Sequence, residues 1–250
     1  MTTSTIDPSL LQAFAPTGVL RASINVGNPI LAGRNPQTQE PFGVSIDLAR
    51  ELAGRLGVDL KLVVWESAGE SVQAATDDIV DIGFFAIDPK RGESVAFTPP
   101  YILIEGAYLV ADGSPLQSNE EVDKEGTTVT VGKGSAYDLY LSRTLKNASI
   151  ERAPTSPAVV SYYLEHGHDV AAGVRQQLEA DAAKHAGLRL LPSHFMVIRQ
   201  AMGMNRSRGE AAIRYLSQFV EEMKASGFVA QAMKRHGIQG AAVAPAEAQA

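Results

Sequence analysis

The stretch "FFAIDPKRGESVAFTPPY" runs from Phe84 to Tyr101. Its apolar start breaks at Asp88-Pro89, shows the basic pair Lys90 and Arg91, and turns apolar again into Pro99-Pro100-Tyr101. The segment "DIGFFAI" is apolar on both faces, which fits a strand of a parallel sheet covered by helices. A basic turn right after such a strand sets a guanidinium at the carboxyl end of the sheet, where open α/β folds bind ligands. Arginine suits a carboxylate there, because its planar fork donates two parallel, charge-assisted hydrogen bonds. Arg91 is therefore the first candidate ligand-binding residue, and Lys90 reads as surface.

Working outward, β and α patterns alternate along the chain. "VLRASINV" (19–26) reads as a strand ended by the turn signal Gly27-Asn28-Pro29. Residues 43–57 read as a helix, with Leu48, Leu52 and Leu56 four apart and Gly57 as its stop. Strands follow over 60–65, "GAYLVA" and "TVTV" (128–131), with a short helix expected over 69–76. Further on come helices near 136–145, over "AVVSYYLEH" and over 175–186, then strands "DVAAG", "LRLL" and "FMVIRQAMGMN". Helices near 209–226 and 228–235 complete the pattern, and the tail "AAVAPAEAQA" is expected to be frayed. Such alternation with short loops argues for an α/β fold with mainly parallel sheets.

Composition narrows the function classes. The chain has 250 residues, 45% of them hydrophobic, with a formal net charge of −6 and no cysteine. An acidic balance disfavours a nucleic-acid backbone as partner. Disulfides, thiolate catalysis and cysteine-based zinc sites are excluded. The five histidines are scattered, so no metal site is expected, and no cofactor motif is present: "GKGS" (132–135) lacks the rest of a phosphate-binding loop. No apolar run approaches the ~20 residues of a membrane span. The N-terminal stretch shows no basic n-region and no continuous apolar h-region. The expected compartment is periplasmic if an export signal was removed, and cytoplasmic if this is the full native chain.

The order of segments resembles the family 3 extracellular solute-binding proteins, receptors for polar amino acid uptake through ABC transporters. "LRASINV", "EPFGVSIDLARELAGRLGVDLKLV", "DIGFFAIDPKRGESVAFTPPY", "VTVGKGSAYDLYL" and "FVEEMKASGFVAQAMKRHG" match that family's motifs in order. The resemblance implies a two-lobed, type II periplasmic-binding-protein-like α/β fold with an interlobe cleft, and a monomer is expected. It implies an N-terminal extension (1–17), a first lobe in two parts (18–112 and 193–238), a second lobe (113–192) and a flexible tail (239–250). It also implies a small carboxylate ligand, an ABC permease as partner, and Arg91 as the ligand's carboxylate anchor.

"GKGS" lies between a strand and a helix, where Gly134 permits close backbone approach and Ser135 stands at a helix N-terminus that favours an anion. The chain departs from the family pattern elsewhere. Asp88 replaces a threonine ahead of the arginine, placing a carboxylate near the anion site or capping the next turn. The aromatic of the opening loop is absent, and Asn28 stands there instead. The aspartate that takes a ligand's ammonium, counted five residues from Asp169, falls on Val174. Either the ligand lacks an α-amine and Arg175 reaches a second carboxylate, or Glu105, an acid in an apolar run, supplies the acceptor. A binding protein is one reading; an enzyme on the same scaffold, of the cyclohexadienyl-dehydratase kind, is the other.

Overall fold

The computed structural model describes residues 6–247. The chain opens with α1 (Pro8–Phe14), capped by Asp7, whose carboxylate accepts from the Ser9 amide. There follow β1 (Val19–Asn25), the short hairpin β2 (Gly33–Arg34) and β3 (Pro41–Phe42), α2 (Val44–Leu56), β4 (Asp59–Trp65), α3 (Ala68–Thr76) and β5 (Ile82–Ala86). The long strand β6 (Val95–Ala111) leads to β7 (Thr128–Gly132), α4 (Ala136–Thr144), β8 (Ser149–Ala153), α5 (Val159–His166), β9 (Val170–Val174), α6 (Arg175–Ala182) and β10 (Leu188–Leu190). The return runs through β11 (Met196–Asn205), α7 (Glu210–Ala225), α8 (Phe228–Arg235) and β12 (Ala241–Val243).

Two parallel sets of three strands carry the two lobes: β4-β1-β5 and β9-β7-β8. Rather than two separate, mainly parallel sheets, they form one mixed sheet. The antiparallel strands β6 and β11 lie between them, and β6 pairs with β11 along its first part and with β9 over Gly106–Leu109. One strand thus serves both lobes, and the "GAYLVA" expected as its own strand is the far end of β6.

The core of the first lobe explains why α2 forms where the leucine spacing predicts it. Val44, Leu48, Leu52 and Leu56 are all buried, each worth about 1.5–3 kcal/mol over an exposed position. Gly57 ends the helix in the left-handed region at φ +67°. Asp81, just ahead of β5 and three residues before the deciding stretch, is a structural anchor. Its fully buried carboxylate accepts from the Arg21 amide at 2.8 Å and from both the Arg21 and Arg208 guanidinium groups. Removing one partner from such a buried ion cluster costs about 3–5 kcal/mol.

Three features depart from the sequence reading. β8 is an edge strand whose "SIERA" carries two charges and is mostly exposed, so its apolar pattern is weak. Inside the N-terminal extension, α1 packs Phe14 fully into the core. The tail is not featureless over its described part: β12 pairs with Ile102–Ile104 of β6, and Ala244 is buried. Alanines carry little apolar pattern, so composition alone hides this strand. Residues 248–250 of the expected frayed tail lie outside the described residues.

Candidate functional site

Arg91 follows β5 directly, in a short turn, and only 6% of its surface is exposed. Its guanidinium donates to the Ala86 carbonyl at 3.2 Å on its own lobe and to the Gly134 carbonyl at 2.9 Å on the other. Among the described residues no carboxylate forms an ion pair with it. Burial pushes its pKa down to about 10, against the opposing pull of Asp88. A desolvated cation bonded only to carbonyl dipoles is costly, and a carboxylate is the partner that would offset that cost.

Arg91 faces a cavity of about 40 Å³ between the lobes, room for a few water molecules. The walls are mostly apolar, with Leu31, Val72, Phe84, Phe85, Val160 and Ile198 among them. Only two of the lining residues carry charge: Arg91 and Asp181. Asp181 sits on α6, whose Gln177, Leu178 and Asp181 line the cavity at helical spacing, with Val174 at the end of β9 beside them. Its carboxylate accepts from Gln177 Nε2 at 3.0 Å and meets the exposed Lys184 ammonium at 3.4 Å. Sequence reasoning missed Asp181, although within α6 it follows Gln177 by four residues and Leu178 by three, which puts the three on one face.

The other expected residues divide. Asn28 lines the cavity; its carbonyl oxygen accepts from the Ile30 amide at 3.1 Å, which leaves its NH₂ for a ligand. Ser135 also lines it, as the N-cap of α4. Its Oγ accepts from the Asp138 amide at 3.0 Å and its own amide donates to Gly132, so its hydroxyl hydrogen is what remains to offer. Gly134 gives its carbonyl to Arg91 and its amide to Asp138 Oδ2 at 2.9 Å. It holds φ +71°, and a side chain there would stand 3.1 Å from Gly69 Cα on the first lobe. The lobes touch backbone to backbone at this point.

Asp88, Glu105 and Arg175 stand outside the cavity lining. Asp88 takes the turn-capping alternative, accepting from the Lys90 amide at 2.8 Å, and its second oxygen holds Arg143 of α4 at 2.7 Å. Glu105 and Arg175 are bound to each other at 2.6 Å, and Arg175 also donates to the Ser193 carbonyl. Neither lines the cavity in this arrangement: the long side chains satisfy one another at the lobe junction. Trp65 is half-buried and packs, like Val63, Val72 and Phe97, against the first-lobe cluster of Ala74, Ala75, Val80, Phe85 and Val95.

The model of the bacterial extracellular solute-binding proteins, family 3, matches residues 28–239. The chain belongs to this family. Among its relatives, the L-cystine-binding protein TcyJ of Escherichia coli is 24% identical over 188 residues, covering 74% of this chain and 70% of the relative. The cyclohexadienyl dehydratase of Pseudomonas aeruginosa is 26% identical over 201 residues, covering 77% of this chain and 73% of the enzyme. The crystal structure of the solute receptor for L-cysteine of Neisseria gonorrhoeae superposes with a TM-score of 0.78 at 17% identity, covering 92% and 94% of the two chains. This solved structure and the present chain share the type II periplasmic-binding-protein fold. Among the described residues no helix is long and apolar enough to cross a membrane.

Proposed function

We propose that this family 3 protein binds a small zwitterion, of amino acid type, in the cavity between its lobes and serves as a receptor for ABC-type uptake. One observation carries the reading: the cavity lining holds a single cation, Arg91, and a single anion, Asp181. A ligand with one carboxylate and one ammonium balances both. A dicarboxylate would leave two excess negative charges in a largely apolar space, and charge buried without a partner costs several kcal/mol. The balance favours a zwitterion over the amine-free ligand that Val174 suggests, since Arg175 supplies no second cation here. Amino acid and cystine binding among the relatives supports the same class. The end of β6 at Ala111 and the start of β11 at Met196 support lobe limits near 112–113 and 192–193.

Entry of such a ligand requires the lobes to part, then close on it as rigid bodies about β6 and β11. The protein acts as a monomer in this account. The test is a thermal-shift screen of L-amino acids, each beside its 2-oxo acid and its decarboxylated amine. A bound ligand raises stability by ~2.7 kcal/mol at a hundredfold excess over Kd. Stabilisation by an amino acid, with neither analogue effective, supports the reading; an equal response to the 2-oxo acid overturns it. The similarity to cyclohexadienyl dehydratase supports a second reading, acid–base elimination with Asp181 as the proton-transferring group. It predicts that NMR of the recovered ligand shows conversion, whereas a receptor returns it unchanged.

A further inference from the structure

The wall supplied by β11 holds a side chain that charge balance does not use. From Met196 to Gln200 burial alternates, with Val197 and Arg199 facing out and Ile198 and Gln200 facing in. Ile198 is apolar, as an inward position requires. Gln200 is an amide, 3% exposed, and it lines the cavity. Among the described residues its side chain makes no hydrogen bond, so the donor and the acceptor of the amide are both open to the cavity.

The backbone around Gln200 is shaped to hold it there. The β11–β6 ladder slips in register between Gln200 and Ala201 and again before Gly203, opposite Pro99 and Pro100. Prolines give no N–H to a ladder, and the Met202 amide donates to Thr98 Oγ1 at 3.1 Å instead. Such irregularities re-aim side chains beside functional sites. On its other edge Gln200 lies opposite Ala86, whose carbonyl receives Arg91. Gln200 thus pairs with the end of β5 whose carbonyl receives Arg91, and both side chains line the same cavity.

We infer that Gln200 is a specificity-determining residue that reads a neutral hydrogen-bonding group, hydroxyl or carboxamide, on the ligand's side chain. This rests on the zwitterion reading. Arg91 and Asp181 already match the ligand's two charges, so a third charge would stay unpaired, while an amide offers both a donor and an acceptor to a neutral group. A site built to hydrogen-bond a polar group rejects the analogue lacking it far more strongly than an apolar pocket rejects a methylene.

Calorimetric titration with L-threonine and L-valine, L-asparagine and L-leucine, and L-glutamine and L-methionine tests this on the wild type and on Gln200→Met. The expected result is a wild-type preference for the polar member of at least one pair by roughly 100-fold or more, cut below about 5-fold in Gln200→Met. Without ligand, Gln200→Met should melt at or above the wild-type temperature, because an apolar side chain replaces an amide with no partner. Wild-type indifference within every pair that binds overturns the inference alone. So do a preference that survives in Gln200→Met, an equal loss of both members, and a lowered melting temperature, which would mark a structural amide. Binding of none of the six overturns the zwitterion reading, and this inference with it.

Discussion

Replacing Arg91 with methionine separates function from stability, because the two are opposed at this residue. Burial of the guanidinium lowers its pKa from the ordinary arginine value to about 10, which corresponds to about 3 kcal/mol at ~1.4 kcal/mol per unit. Because the folded-state value is depressed, this cost is fully present below pH ~10 and fades as the pH rises further, toward the ordinary arginine value. Methionine removes the cost and also the two bonds to the Ala86 and Gly134 carbonyls, about 1–2 kcal/mol each. The terms nearly cancel, so chemical denaturation of ligand-free Arg91→Met should agree with the wild type within about 1–2 kcal/mol. Binding should fall by roughly 2–5 kcal/mol, or about 30- to 5,000-fold by calorimetry, since the fork for the carboxylate is gone. Arg91→Lys should recover only part of it, because an ammonium has no fork. Wild-type affinity should hold from pH 6 to 9 as far as Arg91 is concerned and decline as the pH passes about 10. An Arg91→Met protein that binds within threefold of the wild type would refute the reasoning.

Three further outcomes follow from the interlobe geometry. Asp88→Asn removes the buried end of the Asp88–Arg143 pair between the lobes, so small-angle scattering of the ligand-free protein should show a more expanded average; an unchanged profile would show that the pair does not favour closure. Gly134→Ala meets both a positive φ and the Gly69 backbone, and should weaken binding by about 1–2 kcal/mol from strain alone; Gly69→Ala, with ordinary contact distances, should not, and equal effects would contradict the close approach. Glu105→Gln and Arg175→Met break a partly exposed pair outside the cavity and should change stability by less than about 1 kcal/mol with ligand affinity unaltered; a large affinity loss in Arg175→Met would return that residue to the site.

The parts of the fold legible in the sequence are those where side chains report burial directly. α2 shows itself in Leu48, Leu52 and Leu56, and β5 in an unbroken apolar run, because each buries its pattern in a single core. The full extent of β6 is hidden because prolines interrupt it and because its two ends serve different lobes. β12 is hidden because alanines carry no pattern. At the site, Arg91 was readable from its place after a buried strand. Asp181 and Gln200 were not: each is an ordinary polar residue within its element, and only the packing of α6 and β11 across the junction turns it toward the cavity. The same packing turns Glu105 and Arg175 toward each other, which spacing along the chain cannot reveal.

The account's central claim is that Arg91 and Asp181 hold opposite ends of one ligand. A crystal structure of the protein with the amino acid that stabilises it most tests this directly. The account predicts the ligand's carboxylate on the Arg91 guanidinium, its ammonium on the Asp181 carboxylate, and the lobes closed around both. A ligand whose carboxylate rests on Arg175, or whose amine lies away from Asp181, would contradict it.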